Sequence, residues 1–256
     1  MSGKKALLLL IILFIAASAL LSLKWRGNMD IDKITVSGNH TISREEILSA
    51  ARLNDSAFNT SEINIDIIQD RIQKHPEVKK VFVSREMPSE LKIEIIEKRP
   101  LAILNSESEM KLVDDELDVF PYKNSSKLYD LPVISGVRFE SSPDPKKRYN
   151  REDLRLALFI IINSFRESRA MYNNISEINL SDTDKVIVYL TEDSCPFYFP
   201  RERGVSISNS DYQQMLMNKL EVFESYIRQS LDNHLKESTN YVDLRFSNQV
   251  IVNFKN

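Results

Sequence analysis

The chain has 256 residues, enough for one large domain or for two small ones with separate hydrophobic cores. Apolar residues make up 42% of it and charged residues 28%, an ordinary globular composition that excludes wholesale disorder. Its 5 glycines and 1 cysteine argue against glycine-rich nucleotide-binding loops and against a small disulfide-stapled fold.

An uncharged apolar run occupies residues 6–23, after Lys5 and before Lys24. As a helix, its 18 residues would extend roughly 27 Å, about the thickness of the bilayer hydrocarbon core. A cleaved signal peptide is the alternative, because residues 17–19 have the Ala-x-Ala form, but the apolar run continues past that site. We therefore predict a short cytoplasmic tail at 1–5 and an uncleaved transmembrane helix at 6–23.

The charge of the remaining chain limits its partners. Four of the 34 basic residues and none of the 37 acidic ones precede residue 27, which leaves 30 basic and 37 acidic residues beyond it. A domain with this acidic excess is not expected to bind nucleic acid.

Residues 31–97 carry a β-α-α-β-β pattern. A first strand around Ile34 and Val36 ends at a Gly38-Asn39 turn, and Ser43 has the sequence context of an N-cap for the helix that follows. The rest of the pattern is a helix with Ile65, Ile68 and Ile72 on one face, a strand around 78–85, a turn at 87–89, and a strand with Leu91, Ile93 and Ile95 on one face.

Residues 99–256 predict a second, strand-rich unit. Its predicted strands are 101–104, 111–113, 175–180, 185–190 and 197–199. Its two predicted helices, with apolar residues at helical spacing, are 151–168 and 212–233.

No recognisable catalytic pattern occurs. The three histidines have no metal-binding spacing, and acidic neighbours would raise the pKa of the Cys195 thiol and make it unreactive. The acidic run at 114–118 is better interpreted as a solvated hairpin turn than as a calcium site or an acid–base pair. We therefore expect no enzyme activity, no cofactor, no bound metal and no small-molecule substrate.

The chain ends on an alternating strand pattern, Tyr241 to Asn256. Nine consecutive residues, 246–254, contain no proline and no charge, although edge strands are usually protected by such residues. Periodicity alone leaves two interpretations open, a strand inside the sheet or a strand at its edge that pairs with another chain.

Several segments together resemble the FtsQ/DivIB family of bacterial cell-division proteins, which carry a POTRA domain. They are ITVSGNHTISREEIL at 34–48, HPEVKKVFVSREMPSELKIEIIEKRP at 75–100, LVDDELDVF at 112–120, LPVISG at 131–136 and YVDLRF at 241–246. The resemblance implies an α+β fold: an N-terminal transmembrane helix, a β-α-α-β-β POTRA domain at 27–98, and at 99–256 a mixed β-rich domain with flanking helices and an exposed C-terminal edge strand. Leu117 stands where the family usually has glycine, so we expect the local turn to differ in shape.

The resemblance also implies a function. The protein would be a non-catalytic, single-pass scaffold of the divisome at the division septum. It would lie in the bacterial cytoplasmic (inner) membrane, with the N-terminus cytoplasmic and the other domains periplasmic or extracellular. Its partners would be division proteins of the FtsB and FtsL type, joined by strand addition, with other divisome members at the POTRA domain. The implied contact residues are Arg201, Arg245, Phe246, Asn248, Gln249, Val250, Ile251, Val252 and Phe254.

The alternative is another POTRA-containing envelope protein, acting in secretion or outer-membrane assembly, but the single POTRA unit and the lack of a series of barrel strands disfavour it.

Overall fold

A computed structural model of the chain describes residues 7, 10–18, 31–53, 64–106, 109–122, 128–141, 148–191, 195–233 and 239–254. The chain separates into two compact units between Lys98 and Arg99. Of the predicted transmembrane span, residues 7 and 10–18 are described as helical, and the rest lies outside the described residues. In the described part of the chain, no helix is both long enough and apolar enough to cross a bilayer.

The first unit has the predicted β-α-α-β-β order. Its elements are β1 (Lys33–Ser37), α1 (Arg44–Ala51), α2 (Ile65–Gln73), β2 (Val78–Glu86) and β3 (Glu90–Glu97). The strands form a sheet of order β1-β3-β2, with β1 parallel to β3 and β2 antiparallel to it. The predicted N-cap is confirmed, since the Glu46 N–H donates to the Ser43 hydroxyl at 3.1 Å.

A tight junction joins the end of β1 to α1. Gly38 has φ of +78°, and a Cβ there would lie 2.1 Å from the carbonyl oxygen of Ile95, so only glycine fits. The Glu97 carboxylate accepts hydrogen bonds at 2.8–2.9 Å from the backbone N–H groups of residues 40–42. These contacts fix the start of α1 against the end of β3.

The second unit is built on a nine-stranded mixed sheet. Its strands are β4 (Pro100–Ser106), β5 (Glu109–Asp114), β6 (Val119–Pro121), β7 (Val133–Ser135), β8 (Ile175–Asn179), β9 (Lys185–Leu190), β10 (Pro196–Pro200), β11 (Thr239–Asp243) and β12 (Ile251–Phe254). Their spatial order is β12-β11-β10-β9-β8-β7-β4-β5-β6. Its helices are α3 (Arg151–Glu167), α4 (Arg169–Asn174) and α5 (Ser210–Asn233).

One face of this sheet packs against the helices. In β9, Val186, Val188 and Leu190 are buried while the alternate side chains are partly exposed, as period-two alternation requires. The same core contains Phe197 and Phe199 of β10, whose rings lie 4.7 and 5.5 Å from the Phe223 ring of α5. The same core also contains Val242 of β11, and Val252 of β12 packs against it, so all four strands share one core.

Candidate partner-binding edge

The C-terminal segment is a hairpin rather than one strand. The prediction of a continuous strand pattern from Tyr241 to Asn256 is wrong. β11 ends at Asp243, the chain reverses direction over residues 244–250 (the reversal), and β12 pairs antiparallel with β11. The reversal begins where the Asp243 carboxylate accepts a hydrogen bond from the Arg245 backbone N–H at 3.0 Å. Such a contact, from a side chain to the backbone two residues on, offers an alternative to the strand ladder.

The strand β12 lies at one edge of the nine-stranded sheet. Among the described residues it pairs only with β11, in a register that places Val252 opposite Val242 and Ile251 opposite Asp243. Its outer backbone N–H and C=O groups are therefore available for a further strand. Within the described residues, β12 therefore lies at the edge of the sheet and not inside it.

Apolar side chains along this edge are exposed to solvent. The exposed fractions are 58% for Phe254, 43% for Val250, 41% for Phe246 and 39% for Ile251. Val252 is the exception, since it is half-buried and packs against the main core. The edge thus exposes apolar side chains to solvent, while the Val252 side chain packs the strand onto the core.

The predicted contacts Asn248 and Gln249 lie in the reversal, not in a strand. Both are exposed, and they separate Phe246 from β12. We define residues 245–254 as the β12 edge.

Arg245 is held by Asp243 at the start of the β12 edge. Its Nε donates to Asp243 Oδ1 at 2.9 Å and its Nη2 donates to Oδ2 at 2.6 Å. Burial would raise the pKa of the Asp243 carboxyl, but the hydrogen bonds and charge of Arg245 outweigh it and lower the pKa. The Arg245 side chain is still 35% exposed.

Arg201 is placed differently from the other predicted contacts. Its side chain is 7% exposed, and its guanidinium donates to Asp153 Oδ1 at 2.6 Å and to the carbonyl oxygens of Leu180 at 2.7 Å and Asp182 at 2.5 Å. A guanidinium so enclosed has little surface for a partner. The geometry therefore favours a supporting role for Arg201, at the C-terminal end of β10.

Asp153 is a residue whose importance the sequence did not reveal. Its buried carboxylate bridges Arg201 and Arg138, whose Nη2 donates to it at 2.7 Å. Burial would raise the pKa of this carboxyl, but the hydrogen bonds from Arg138 and the two guanidinium charges lower it. In the sequence, Asp153 looks like any acidic residue in a first helical turn.

The turn between β5 and β6 differs from the solvated turn predicted for 114–118. Asp114 is 1% exposed, and its carboxylate accepts hydrogen bonds from the backbone N–H groups of Glu116 at 3.0 Å and Asp118 at 2.9 Å. Leu117 has φ of +64°, the left-handed conformation that glycine adopts most easily. The leucine thus keeps a left-handed residue in the turn while its side chain joins the core.

Comparison with known proteins places this geometry in a family. Residues 29–98 match the domain described as "POTRA domain, FtsQ-type", and residues 102–245 match "Cell division protein FtsQ/DivIB, C-terminal". The chain belongs to the FtsQ/DivIB family of cell-division proteins. The second match ends at residue 245, so most of the β12 edge lies beyond it.

Several relatives named "Cell division protein FtsQ" match most of the chain. The protein from Geotalea daltonii is 26% identical over 229 residues, which cover 87% of this chain and 74% of the relative. The Koribacter versatilis protein is 26% identical over 251 residues, 94% of this chain and 65% of the relative, so the chain spans just under two thirds of its length. The Salinibacter ruber protein is 22% identical over 246 residues, 94% of this chain and 89% of the relative.

Proposed function

We propose that this cell-division protein is a non-catalytic scaffold that links divisome proteins by β-strand addition at the β12 edge. The observation that carries the proposal is an edge strand with exposed apolar side chains and with no proline or charged residue from Phe246 to Phe254. Strand addition draws affinity from backbone hydrogen bonds and specificity from alternate side chains. The partners would be proteins of the FtsB and FtsL type.

The proposed topology is a single-pass protein of the bacterial cytoplasmic membrane. Its support is the apolar run 6–23, with the tail 1–5 inside and the domains 27–98 and 99–256 outside. An anchor would confine the protein and its membrane-held partners to one surface, which raises their effective concentration for one another. Moderate affinity at the β12 edge would then suffice.

A second contact surface is proposed on the POTRA sheet. Phe82 of β2 and Ile96 of β3 are 54% and 48% exposed, and their strands are antiparallel neighbours in the sheet. β2 also forms one edge of that sheet. These features offer apolar area to another divisome member. The contact would be made by side chains, because Gln69 and Gln73 already bond to the β2 backbone at Val83 and Lys79.

The β12 proposal is tested best with Phe254→Ala. Truncating an exposed aromatic anchor should weaken binding of the full chain to the extracytoplasmic part of an FtsB-type protein by about tenfold or more, measured by interferometry or calorimetry. The matched control is Phe139→Ala, which removes a ring of similar exposure, 54%, outside the β12 edge. Equal affinity of wild type and Phe254→Ala would count against the proposal.

Val252 is a less suitable test site. A charge there would also disturb the fold, because its side chain packs on the core. The cellular test is a fluorescent fusion to the full chain, which should concentrate at the division site. A uniform membrane signal would argue against the septal assignment.

A further inference from the structure

Lys219 of α5 points into the protein, which is unusual for a lysine. The residue is 7% exposed, and its ammonium group donates a hydrogen bond to the backbone carbonyl oxygen of Phe246. Burial lowers the pKa of this ammonium group, an effect that the charge of Asp243 opposes. Burying a cation is costly in free energy unless hydrogen-bond partners compensate it. The bond to the Phe246 carbonyl oxygen is therefore the contact that keeps this ammonium group in its buried position.

Phe246 lies in the reversal between β11 and β12. Just before it, the Leu244 N–H donates to the Tyr198 carbonyl oxygen at 2.9 Å, and Arg245 is fixed by Asp243. After it, residues 247–250 are all exposed. The bond from Lys219 is therefore the last described tie from a helix to the reversal before β12 begins.

We propose that Lys219 is a positioning residue for partner capture, because it fixes the backbone at Phe246 and so sets the entry of β12. The inference rests on the proposed function of the β12 edge. Without this bond, the reversal gains freedom and the four-residue β12 is less often in its binding-competent position. A partner strand must then order the segment as it binds, which weakens its apparent affinity.

The test uses the full chain in nanodiscs and a series of variants: Lys219→Arg, Lys219→Gln and Lys219→Met. Arginine can still reach the Phe246 carbonyl oxygen, whereas glutamine is too short and methionine has no donor. The matched control is Arg228→Met on the same helix, where the arginine side chain is 74% exposed and pairs with Glu224.

Two quantities are measured for each variant. The first is amide hydrogen exchange of residues 246–254, compared with that of β9 and β10. The second is the Kd for the extracytoplasmic part of the FtsB-type partner. In Lys219→Met and Lys219→Gln, exchange in 246–254 should rise severalfold and Kd should rise about tenfold, while Lys219→Arg and Arg228→Met stay near wild type.

The outcomes separate the inference from the function on which it rests. A Kd that is the same across the Lys219 series overturns the positioning role and leaves the strand-addition proposal standing. A wild-type chain that does not bind the partner overturns both. If Lys219→Met also speeds exchange in β9 and β10, that variant disturbs the whole domain and is set aside. The Kd values of Lys219→Arg and Lys219→Gln are then compared, and equal values refute the inference.

Discussion

Removing the Asp153 charge should destabilise the second unit strongly. The Asp153 side chain is 2% exposed and lies between the Arg201 side chain, 7% exposed, and that of Arg138, 57% exposed. In Asp153→Asn, the exposed Arg138 side chain can reorient into solvent. The Arg201 guanidinium stays buried, and its charge is then compensated by neutral carbonyl oxygens and no longer by a carboxylate. Breaking a buried pair in this way costs about 3–5 kcal/mol of the free energy of unfolding, and the freedom of Arg138 favours the lower end.

The measurement is thermal unfolding of the full chain, followed by near-ultraviolet circular dichroism. A loss of about 3 kcal/mol should lower the Tm of the second unit by roughly 6–12 °C for a domain of its size. The matched control is the adjacent Glu152→Gln, whose pair with Arg155 is over 40% exposed on both sides and contributes about 0–1 kcal/mol. If Asp153→Asn unfolds at the same temperature as Glu152→Gln, the buried-pair argument is refuted.

The same carboxylate gives a pH dependence of known sign. Because the pKa of Asp153 is lowered in the folded protein, its contribution is present above its unfolded pKa of about 3.9 and is lost as the pH falls through the lower folded value. Wild type should therefore lose stability below about pH 4 more steeply than Asp153→Asn. Parallel curves for the two proteins would contradict the assignment.

Two further predictions concern the POTRA domain. Gly38→Ala should destabilise it by roughly 2 kcal/mol or more, because the new Cβ would clash with the Ile95 carbonyl oxygen and the residue has a left-handed backbone conformation. The unfolding midpoint of the domain should fall, and an unchanged midpoint would contradict the prediction. Glu97→Gln should lower the free energy of unfolding by about 1–3 kcal/mol, because an amide cannot accept all the hydrogen bonds that the carboxylate accepts from residues 40–42. Hydrogen exchange of the backbone amides of residues 40–42 should accelerate, and unchanged protection would argue against this prediction.

Local sequence signals specify much of the fold. The first unit was predicted element by element because its strands alternate with period two and its first helix begins at a capping serine. In the second unit, β9 was predicted with its observed limits, Lys185–Leu190, since every second residue is apolar and buried. Local rules suffice when an element has several turns or several alternations.

The missed elements are short or depend on distant contacts. β6 and β7 have three residues each, too few for a period to be read, and α4 has six. The buried roles of Arg201 and Lys219 depend on partners 48 and 27 residues away in the chain, which no local pattern specifies. The composition of the β12 edge was readable from sequence, whereas the supports behind it were not.

The two edges of the nine-stranded sheet differ in a way that bears on function. At one edge, β6 has only three residues and ends in Pro121, which cannot donate to a further strand. At the other edge, β12 is also short, with four residues, but no proline or charged residue occurs from Phe246 to Phe254, and the Phe254 side chain is exposed. An exposed apolar edge favours unwanted association, so its persistence beside a protected edge is best explained by a partner that covers it. The supports at Lys219 and Asp243 are then understandable, because an edge that must accept another chain has to be held in place before that chain arrives.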